Sequence, residues 1–208
     1  MSADARSTVL ARIRGALADR PAAPDLPAPV AAPPLADPAA RFAQRVADYR
    51  ATVTRCADAD APIAAAVAEA FARHDAVRIA AAPGVPRAWW PAGARPDEPP
   101  LDVAGLDALH GVLTVAALGI AETGTIVLDG GPACGRRALT LVPDLHVCVV
   151  RAADLVAGVA EAFTVLAPAI GAGRPITLVS GPSATSDIEL DRVEGVHGPR
   201  RLEVVIAG

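Results

Sequence analysis

The fold class is decided by the stretch Leu145-His146-Val147-Cys148-Val149-Val150 and by the two segments that follow it. These are the alanine-rich segment 152–163 and the run Ile176-Thr177-Leu178-Val179. Both outer runs are short and almost entirely apolar, which is typical of strands buried on both faces. The segment between them predicts a helix. Buried strands that alternate with helices predict an α/β fold, in which a mostly parallel sheet carries helices on both faces.

The same alternation extends outward along the chain. Further strands are predicted over residues 76–82, 111–117, 125–128 and 201–206. Helices are predicted over residues 8–18, from Pro38 and from Pro62, because proline is favoured at the start of a helix. The apolar spacing that supports the last two helices is formed by Phe42, Val46, Tyr49 and Val53, and by Ile63, Val67, Ala70 and Phe71.

A proline-rich segment separates the first predicted helix from the rest. Seven of the eighteen residues 21–38 are prolines, so this segment can neither form a helix nor pair as a central strand. We therefore predict two parts: an N-terminal helix with a proline-rich arm over residues 1–37, and an α/β domain over residues 38–208.

Composition excludes several classes of protein. A net charge of -4, a pI near 5.5 and the lack of a long basic run argue against nucleic-acid binding. The longest apolar run, residues 112–121, is much shorter than the roughly 20 residues of a membrane span. The N-terminus also lacks an apolar signal core. We expect no membrane partner and a cytoplasmic location.

Missing residue types exclude further chemistry. All 19 cationic side chains are arginines and there is no asparagine, which excludes lysine-based catalysis and a Cys-His-Asn triad. Three scattered cysteines, Cys56, Cys134 and Cys148, cannot build a zinc ribbon or an iron–sulfur cluster within this chain. No metal site and no cofactor in this chain are expected. His146, inside an apolar run, is predicted to be a hydrogen-bonded core or strand-end histidine.

Two segments between predicted strands carry candidate site residues. In the first, Glu122 stands in an apolar neighbourhood, and Thr123, Gly124 and Thr125 offer hydroxyl groups beside a flexible backbone, so the segment is a candidate ligand-binding turn. The second is a glycine-rich loop over residues 130–137, in which Arg136 is a candidate for binding an anion. A tight strand connection and a solvated arginine are the plain structural alternatives.

The third and most polar segment lies near the C-terminus. Residues 180–189 read Ser-Gly-Pro-Ser-Ala-Thr-Ser-Asp-Ile-Glu, and residues 195–200 read Gly-Val-His-Gly-Pro-Arg. Such groups between apolar strands favour a cleft for a polar or anionic ligand, at the carboxyl ends of the strands. The candidate ligand-binding residues of this segment are Gly181, Ser183, Thr185, Asp187, His197 and Arg200. We expect the regions around Thr123 and His197 to meet at one rim.

Four motifs together resemble the lactate-utilisation protein C family, the stand-alone LUD domain. The first is Ile-Ala-Glu-Thr-Gly-Thr from Ile120, and the second is Leu-Val-Pro-Asp-Leu-His from Leu141. The third is Gly-Pro-Ser-Ala-Thr-Ser-Asp-Ile-Glu from Gly181, and the fourth is Gly-Val-His-Gly-Pro from Gly195. The resemblance covers residues 38–208. It implies a fold similar to the NagB/ribose-5-phosphate isomerase/CoA-transferase group, and an accessory role in oxidising L-lactate to pyruvate.

The resemblance also implies partners, and it leaves alternatives open. Iron–sulfur clusters are expected on partner proteins of the lactate-utilisation system, a small anion is the expected ligand, and a homo-oligomer is a further expectation. One alternative is a CoA-transferase-like or phosphosugar-handling enzyme, in which Glu122 is the catalytic carboxylate. The other is a non-catalytic scaffold subunit whose N-terminal helix clasps a partner.

Overall fold

The computed structural model describes residues 3–19, 28, 30, 32–182 and 198–208. Residues 1–30 and 31–208 form two separate units. In the first unit, helix α1 (Ala3–Ala16) starts earlier than the predicted residues 8–18. Val9 and Ile13, one turn apart on this helix, are each about half exposed.

The described part of the second unit contains four helices and ten strands. The helices are α2 (Pro38–Asp48), α3 (Asp60–Ala72), α4 (Val103–Asp107) and α5 (Val159–Gly171). The strands are β1 (Thr52–Cys56), β2 (Ile79–Ala81), β3 (Arg95–Pro96), β4 (Gly111–Val115), β5 (Leu118–Ile120), β6 (Thr125–Leu128), β7 (Leu145–Arg151), β8 (Leu155–Val156), β9 (Thr177–Val179) and β10 (Arg201–Ala207).

Six strands form a parallel sheet in the order β1-β10-β7-β4-β2-β3. The two long central strands, β7 and β10, are mostly apolar and are buried on both faces, as parallel strands under two covering layers must be; His146 and Glu203 are their buried polar residues. The predicted fold class, a mostly parallel α/β sheet with helices, is therefore confirmed. A second sheet, in the order β8-β5-β6-β9, was not predicted.

Alternate side chains of the central strands enter two different cores. Val147, Val149 and Val205 face a layer that includes α3 and α4, whereas Cys148 and Val204 face α2 and the small sheet. The outer face of the small sheet packs in turn against α5. One face of the large sheet is thus covered by a helix and a sheet together, and this arrangement places the β5–β6 hairpin beside α2.

Several predicted boundaries were wrong. Val53 belongs to β1 and not to the preceding helix, because Arg50 adopts a positive φ of 63° and ends the helical path. The helix predicted over residues 152–163 begins only at Val159, since a 3-10 turn and β8 occupy residues 152–156. In the described ranges, no helix has the length and apolarity to cross a membrane.

Candidate functional site

A cleft of about 360 Å³ separates the C-terminal end of α2 from the turn that connects β5 to β6. We call it the α2–hairpin cleft. Its lining residues are Arg45, Asp48, Tyr49, Glu122 and Thr123. Three residues with charged side chains and two with hydroxyl groups thus line one concave surface, which provides polar groups for a small polar ligand. Two of the predicted site residues, Glu122 and Thr123, are among them.

Gly124 sets the distance between the two walls of the cleft. It has a positive φ of 66°, and a Cβ atom built on it would lie 2.6 Å from the Cβ of Arg45 and 2.7 Å from its carbonyl carbon. Any other residue would push the hairpin away from α2. Glycine at this position therefore holds Glu122 and Thr123 opposite Arg45.

Replacing Gly124 by alanine is expected to lower the free energy of unfolding by about 2 kcal/mol, because a left-handed backbone conformation and a clash with α2 act together. Gly93→Ala is the matched control: Gly93 also has a positive φ, 79°, but open space around it. Urea titration followed by tryptophan fluorescence measures both variants. Equal losses of unfolding free energy in the two variants would show that the clash with α2 does not contribute to the destabilisation.

A chain of three hydroxyl groups extends from the cleft into the small sheet. Thr123 Oγ1 lies 2.7 Å from Thr125 Oγ1, which lies 2.7 Å from Ser180 Oγ. Thr125 is buried, whereas Thr123 is half-buried. Each hydroxyl can donate one hydrogen bond and accept others, so the three can be oriented in either direction along the chain. The chain fixes the Thr123 side chain and leaves its hydroxyl able to donate or accept.

Glu122 is exposed, and backbone contacts with the start of α5 hold it in place. Its amide donates to the carbonyl of Ala157 at 3.1 Å. Its Oε2 lies 3.3 Å from the position that a Cβ atom would take on Gly158, the N-cap residue of α5. A carboxylate near the first turn of a helix interacts favourably with the helix dipole. The backbone of Glu122 is therefore fixed beside the cleft, and its exposed carboxylate lies near the start of α5.

Arg45 provides the positive charge among the residues that line the cleft. Its ion-pair contact with Asp48 is long, 3.5 Å from Nη1 to Oδ2, and the Arg45 side chain is 40% exposed. Its Nε atom is buried, and among the described residues it has no hydrogen-bond partner. The guanidinium group is thus only weakly occupied by the protein itself.

The cleft lies at the amino ends of the parallel strands. Tyr49 precedes β1 and Arg200 precedes β10, and these two strands are paired neighbours. A Cβ atom on Gly181 would lie 2.6 Å from the Cβ of Tyr49, and one on Gly198 would lie 4.0 Å from the carbonyl oxygen of Pro182. The expected position at the carboxyl ends of the strands was therefore wrong for Arg200, which precedes β10, whereas Gly181 follows the carboxyl end of β9 in the small sheet.

Other predicted residues are occupied elsewhere or fall outside the described ranges. Arg136 forms a two-pronged ion pair with Asp97, at 2.6 and 3.0 Å. Arg200 forms an exposed ion pair with Asp144, at 3.3 Å. Four predicted ligand-binding residues lie outside the described residues: Ser183, Thr185, Asp187 and His197.

The relationship to known proteins follows from three matches. The LUD domain model matches residues 106–207. The Lactate utilization protein C of Deinococcus radiodurans is 46% identical over 211 residues, which cover 100% of this chain and 97% of that protein. The chain belongs to the lactate utilization protein C family. The crystal structure of a DUF162 family protein from Deinococcus radiodurans is also similar, with a TM-score of 0.71 and 38% identity over 84% of this chain and 100% of that chain.

Members of the lactate utilization protein C family also match over shorter spans. The Lactate utilization protein C of Bacillus subtilis is 31% identical over 98 residues, which cover 45% of this chain and 40% of that protein. The chain thus matches about two-fifths of the length of this relative, while it matches nearly the whole of the Deinococcus protein.

The buried polar groups of this family member are not part of the cleft. His146 lies in the core and forms a 2.7 Å hydrogen bond with Thr114, as the sequence predicted. Burial, together with the positive charge of Arg137, lowers the pKa of His146 to about 4. Burial raises the pKa values of Cys134 and Cys148 to about 12, so both thiols stay protonated. In the described residues, no group of three or more His, Cys, Asp or Glu side chains could hold a metal ion.

Sequence reasoning missed one whole wall of the cleft. Arg45, Asp48 and Tyr49 lie on or directly after α2, where the apolar spacing of Phe42 and Val46 had indicated packing alone. The available signal was the cluster of polar residues at the end of that helix. It becomes informative only when the hairpin is known to lie against the same turn.

Proposed function

We propose that this chain takes part in the utilisation of L-lactate in the cytoplasm, as an accessory component of its oxidation to pyruvate. The observation that carries the proposal is the 46% identity to the Lactate utilization protein C of Deinococcus radiodurans, because it extends over the whole chain and nearly all of that protein. Identity of this extent over equal lengths favours a common role.

The α2–hairpin cleft is the proposed ligand site. It combines the Arg45 guanidinium with the Thr123 hydroxyl on an open surface, which suits a small anion that also has a polar oxygen. Gly124 and Thr125 hold the hairpin wall, and Gly181 packs on Tyr49 at the side of the cleft. We assign Arg200 a supporting role in attracting the anion, because it precedes β10 and so lies at the same amino end of the parallel strands as the cleft.

Iron–sulfur proteins are the proposed partners. Oxidation of L-lactate to pyruvate breaks one C–H and one O–H bond and releases two electrons and two protons. In this proposal the electrons pass to iron–sulfur clusters of partner proteins and the protons pass to solvent. The cysteines of this chain support that division of labour, because Cys134 and Cys148 are buried as protonated thiols and Cys56 lies apart, at the end of β1.

Deleting the gene for this chain is expected to abolish growth on L-lactate and to leave growth on pyruvate unchanged, because only the oxidation step is lost. Growth curves on each acid as the sole carbon source measure this, and the wild-type gene must restore growth. An Arg200→Ala version is expected to slow growth on L-lactate several-fold.

Asp144→Ala is the matched control for Arg200→Ala. It breaks the same exposed ion pair but keeps the arginine, and an exposed pair contributes at most about 1 kcal/mol to stability. Normal growth with this control and slow growth with Arg200→Ala would support the ligand role. Normal growth of the deletion strain on L-lactate would refute the proposed function.

A further inference from the structure

The charges that line the α2–hairpin cleft restrict what it can bind. Arg45 contributes one positive charge, while Asp48 and Glu122 contribute two negative charges. A ligand with a single carboxylate can pair with Arg45 and brings only one negative charge near the two acids. A phosphate ester or another multiply charged anion would bring further negative charge towards them and be repelled. The lining therefore favours a monoanion.

The state of Arg45 indicates that its guanidinium is available to such a ligand. Elsewhere in the chain, Arg136 and Arg73 bind buried carboxylates at 2.6 and 2.7 Å. The contact between Arg45 and Asp48 is 3.5 Å long, and Arg45 Nε is buried without a partner among the described residues. The Arg45 side chain is 40% exposed, and a carboxylate in the cleft would give its exposed part the short, charge-assisted hydrogen bonds that the contact with Asp48 does not supply.

The hydroxyl chain indicates which second group the ligand carries. When Ser180 donates to Thr125 and Thr125 donates to Thr123, the Thr123 hydroxyl is free to donate to a ligand oxygen. When the chain is reversed, Thr123 can accept a hydrogen bond from a ligand hydroxyl. One side chain can thus bind an alcohol and the corresponding ketone without moving.

We infer that the α2–hairpin cleft binds a 2-hydroxy or 2-oxo monocarboxylate, with the carboxylate on Arg45 and the 2-oxygen on the hydroxyl of Thr123. The inference rests on the proposed function for its choice of acids, and it adds the site and the recognition chemistry. A volume of about 360 Å³ exceeds what lactate fills, so longer 2-hydroxy acids belong to the same class of ligands.

Calorimetric titration of the purified full chain tests the ligand class. L-Lactate and pyruvate are expected to bind with similar affinity. Propionate, which lacks the 2-oxygen, is expected to bind roughly tenfold more weakly, and methyl L-lactate, which lacks the charge, roughly a hundredfold more weakly. Inorganic phosphate, phosphoglycolate and CoA are expected not to compete with L-lactate. Competition by any of these three would show that the charge argument is wrong.

Variants test the assigned contacts. Arg45→Gln is expected to weaken binding of L-lactate by roughly ten- to a hundredfold. Arg41→Gln, one turn earlier on α2 and outside the residues described as lining the cleft, should bind like the wild type. Thr123→Val should remove the preference for L-lactate over propionate and leave propionate binding unchanged. Circular dichroism and tryptophan fluorescence check that each variant is folded.

The variant Asp48→Asn tests the site while Arg45 and Thr123, the two assigned ligand contacts, stay in place. It removes a negative charge and the competing partner of Arg45, so it is expected to tighten binding of L-lactate several-fold. Weaker or unchanged binding in this variant would contradict the role of Arg45, even if Arg45→Gln proved unstable.

Two outcomes separate this inference from the proposed function. If the wild-type chain binds none of these acids at tens of millimolar, while deletion of the gene still abolishes growth on L-lactate, the inference is wrong and the proposed function stands. If the cleft binds L-lactate through Arg45 but the deletion strain grows normally on it, the proposed function is wrong and the site stands.

Discussion

Replacing Arg136 by alanine is expected to lower the free energy of unfolding by about 3–5 kcal/mol, because it leaves a buried carboxylate without its counter-charge. The Asp97 side chain is only 2% exposed. Arg136 donates to both oxygens of Asp97 and also to the carbonyl oxygen of Leu101, at 2.5 Å. The pair connects the loop after β3 to the glycine-rich loop over residues 130–137.

The dependence of this loss on pH identifies its cause. In the wild type, burial alone would raise the pKa of Asp97, but the hydrogen bonds from Arg136 and from the Leu101 amide outweigh it and hold the pKa below 3.8. The pair therefore contributes fully above pH 3.8, and its contribution is lost as the pH falls below that value. Without Arg136, burial dominates and Asp97 takes up a proton, so the difference between variant and wild type shrinks in acid.

Urea titrations at several pH values, followed by tryptophan fluorescence, measure the effect. The double variant Asp97→Asn/Arg136→Ala should lose less stability than Arg136→Ala alone, because no buried charge remains unpaired. Arg200→Ala, which breaks an exposed pair, is the matched control and should lose at most about 1 kcal/mol. A loss of that size for Arg136→Ala would show that the charge of Asp97 does not need its partner.

The large sheet could be predicted from the sequence because its central strands carry their own signal. β7 and β10 are mostly apolar, with His146 and Glu203 as the exceptions, and each was predicted to within one residue of its ends. Burial on both faces demands such runs, so pattern and structure agree. The same reasoning located α2 and α3 from their helical spacing, apart from the ends.

The small sheet could not be predicted as a separate sheet, although its strands β6 and β9 were predicted, because β5 and β8 are too short to show a period. β5 has three residues and continues the apolar run of β4, so the change from one sheet to the other leaves no mark in composition. β1 was missed because Val53 falls on the helical spacing of Phe42 and Val46. The apolar spacing of a sequence does not show where a helix ends when the end is set by a single backbone angle, here the positive φ of Arg50.

The candidate site was predictable from one side only. Glu122 and Thr123 attract attention because polar residues interrupt an apolar region, and both line the cleft. Arg45 lies some eighty residues earlier on an ordinary amphipathic helix, and only the contact with Gly124 brings it to the site. Arg136 looked equally suitable as an anion ligand, but its side chain is held by Asp97, a partner that the sequence did not reveal.

Acidification is expected to destabilise the protein through His146 by about 3 kcal/mol between pH 6.5 and pH 4. Burial, with a smaller effect from the charge of Arg137, lowers the pKa of this histidine from 6.5 to about 4. Between those two values the unfolded chain binds a proton that the folded chain does not, so the stability falls by about 1.4 kcal/mol per pH unit as the pH decreases. Above pH 6.5 both states are neutral at this residue and the contribution is fully present.

His146→Gln tests this effect, because glutamine keeps a hydrogen-bonding group near Thr114 but does not titrate. The variant should lose stability at neutral pH, and the gap to the wild type should narrow by about 3 kcal/mol as the pH falls from 6.5 to 4. Asp97 does not interfere, since its contribution is lost only below pH 3.8. Thr114→Val is the matched control: it removes the hydrogen bond but leaves the histidine buried, and its profile should stay parallel to the wild type. If the stability difference between His146→Gln and the wild type stays constant with pH, His146 binds a proton equally well in the folded and unfolded chains. That result would contradict the effect expected from its complete burial between β4 and β10.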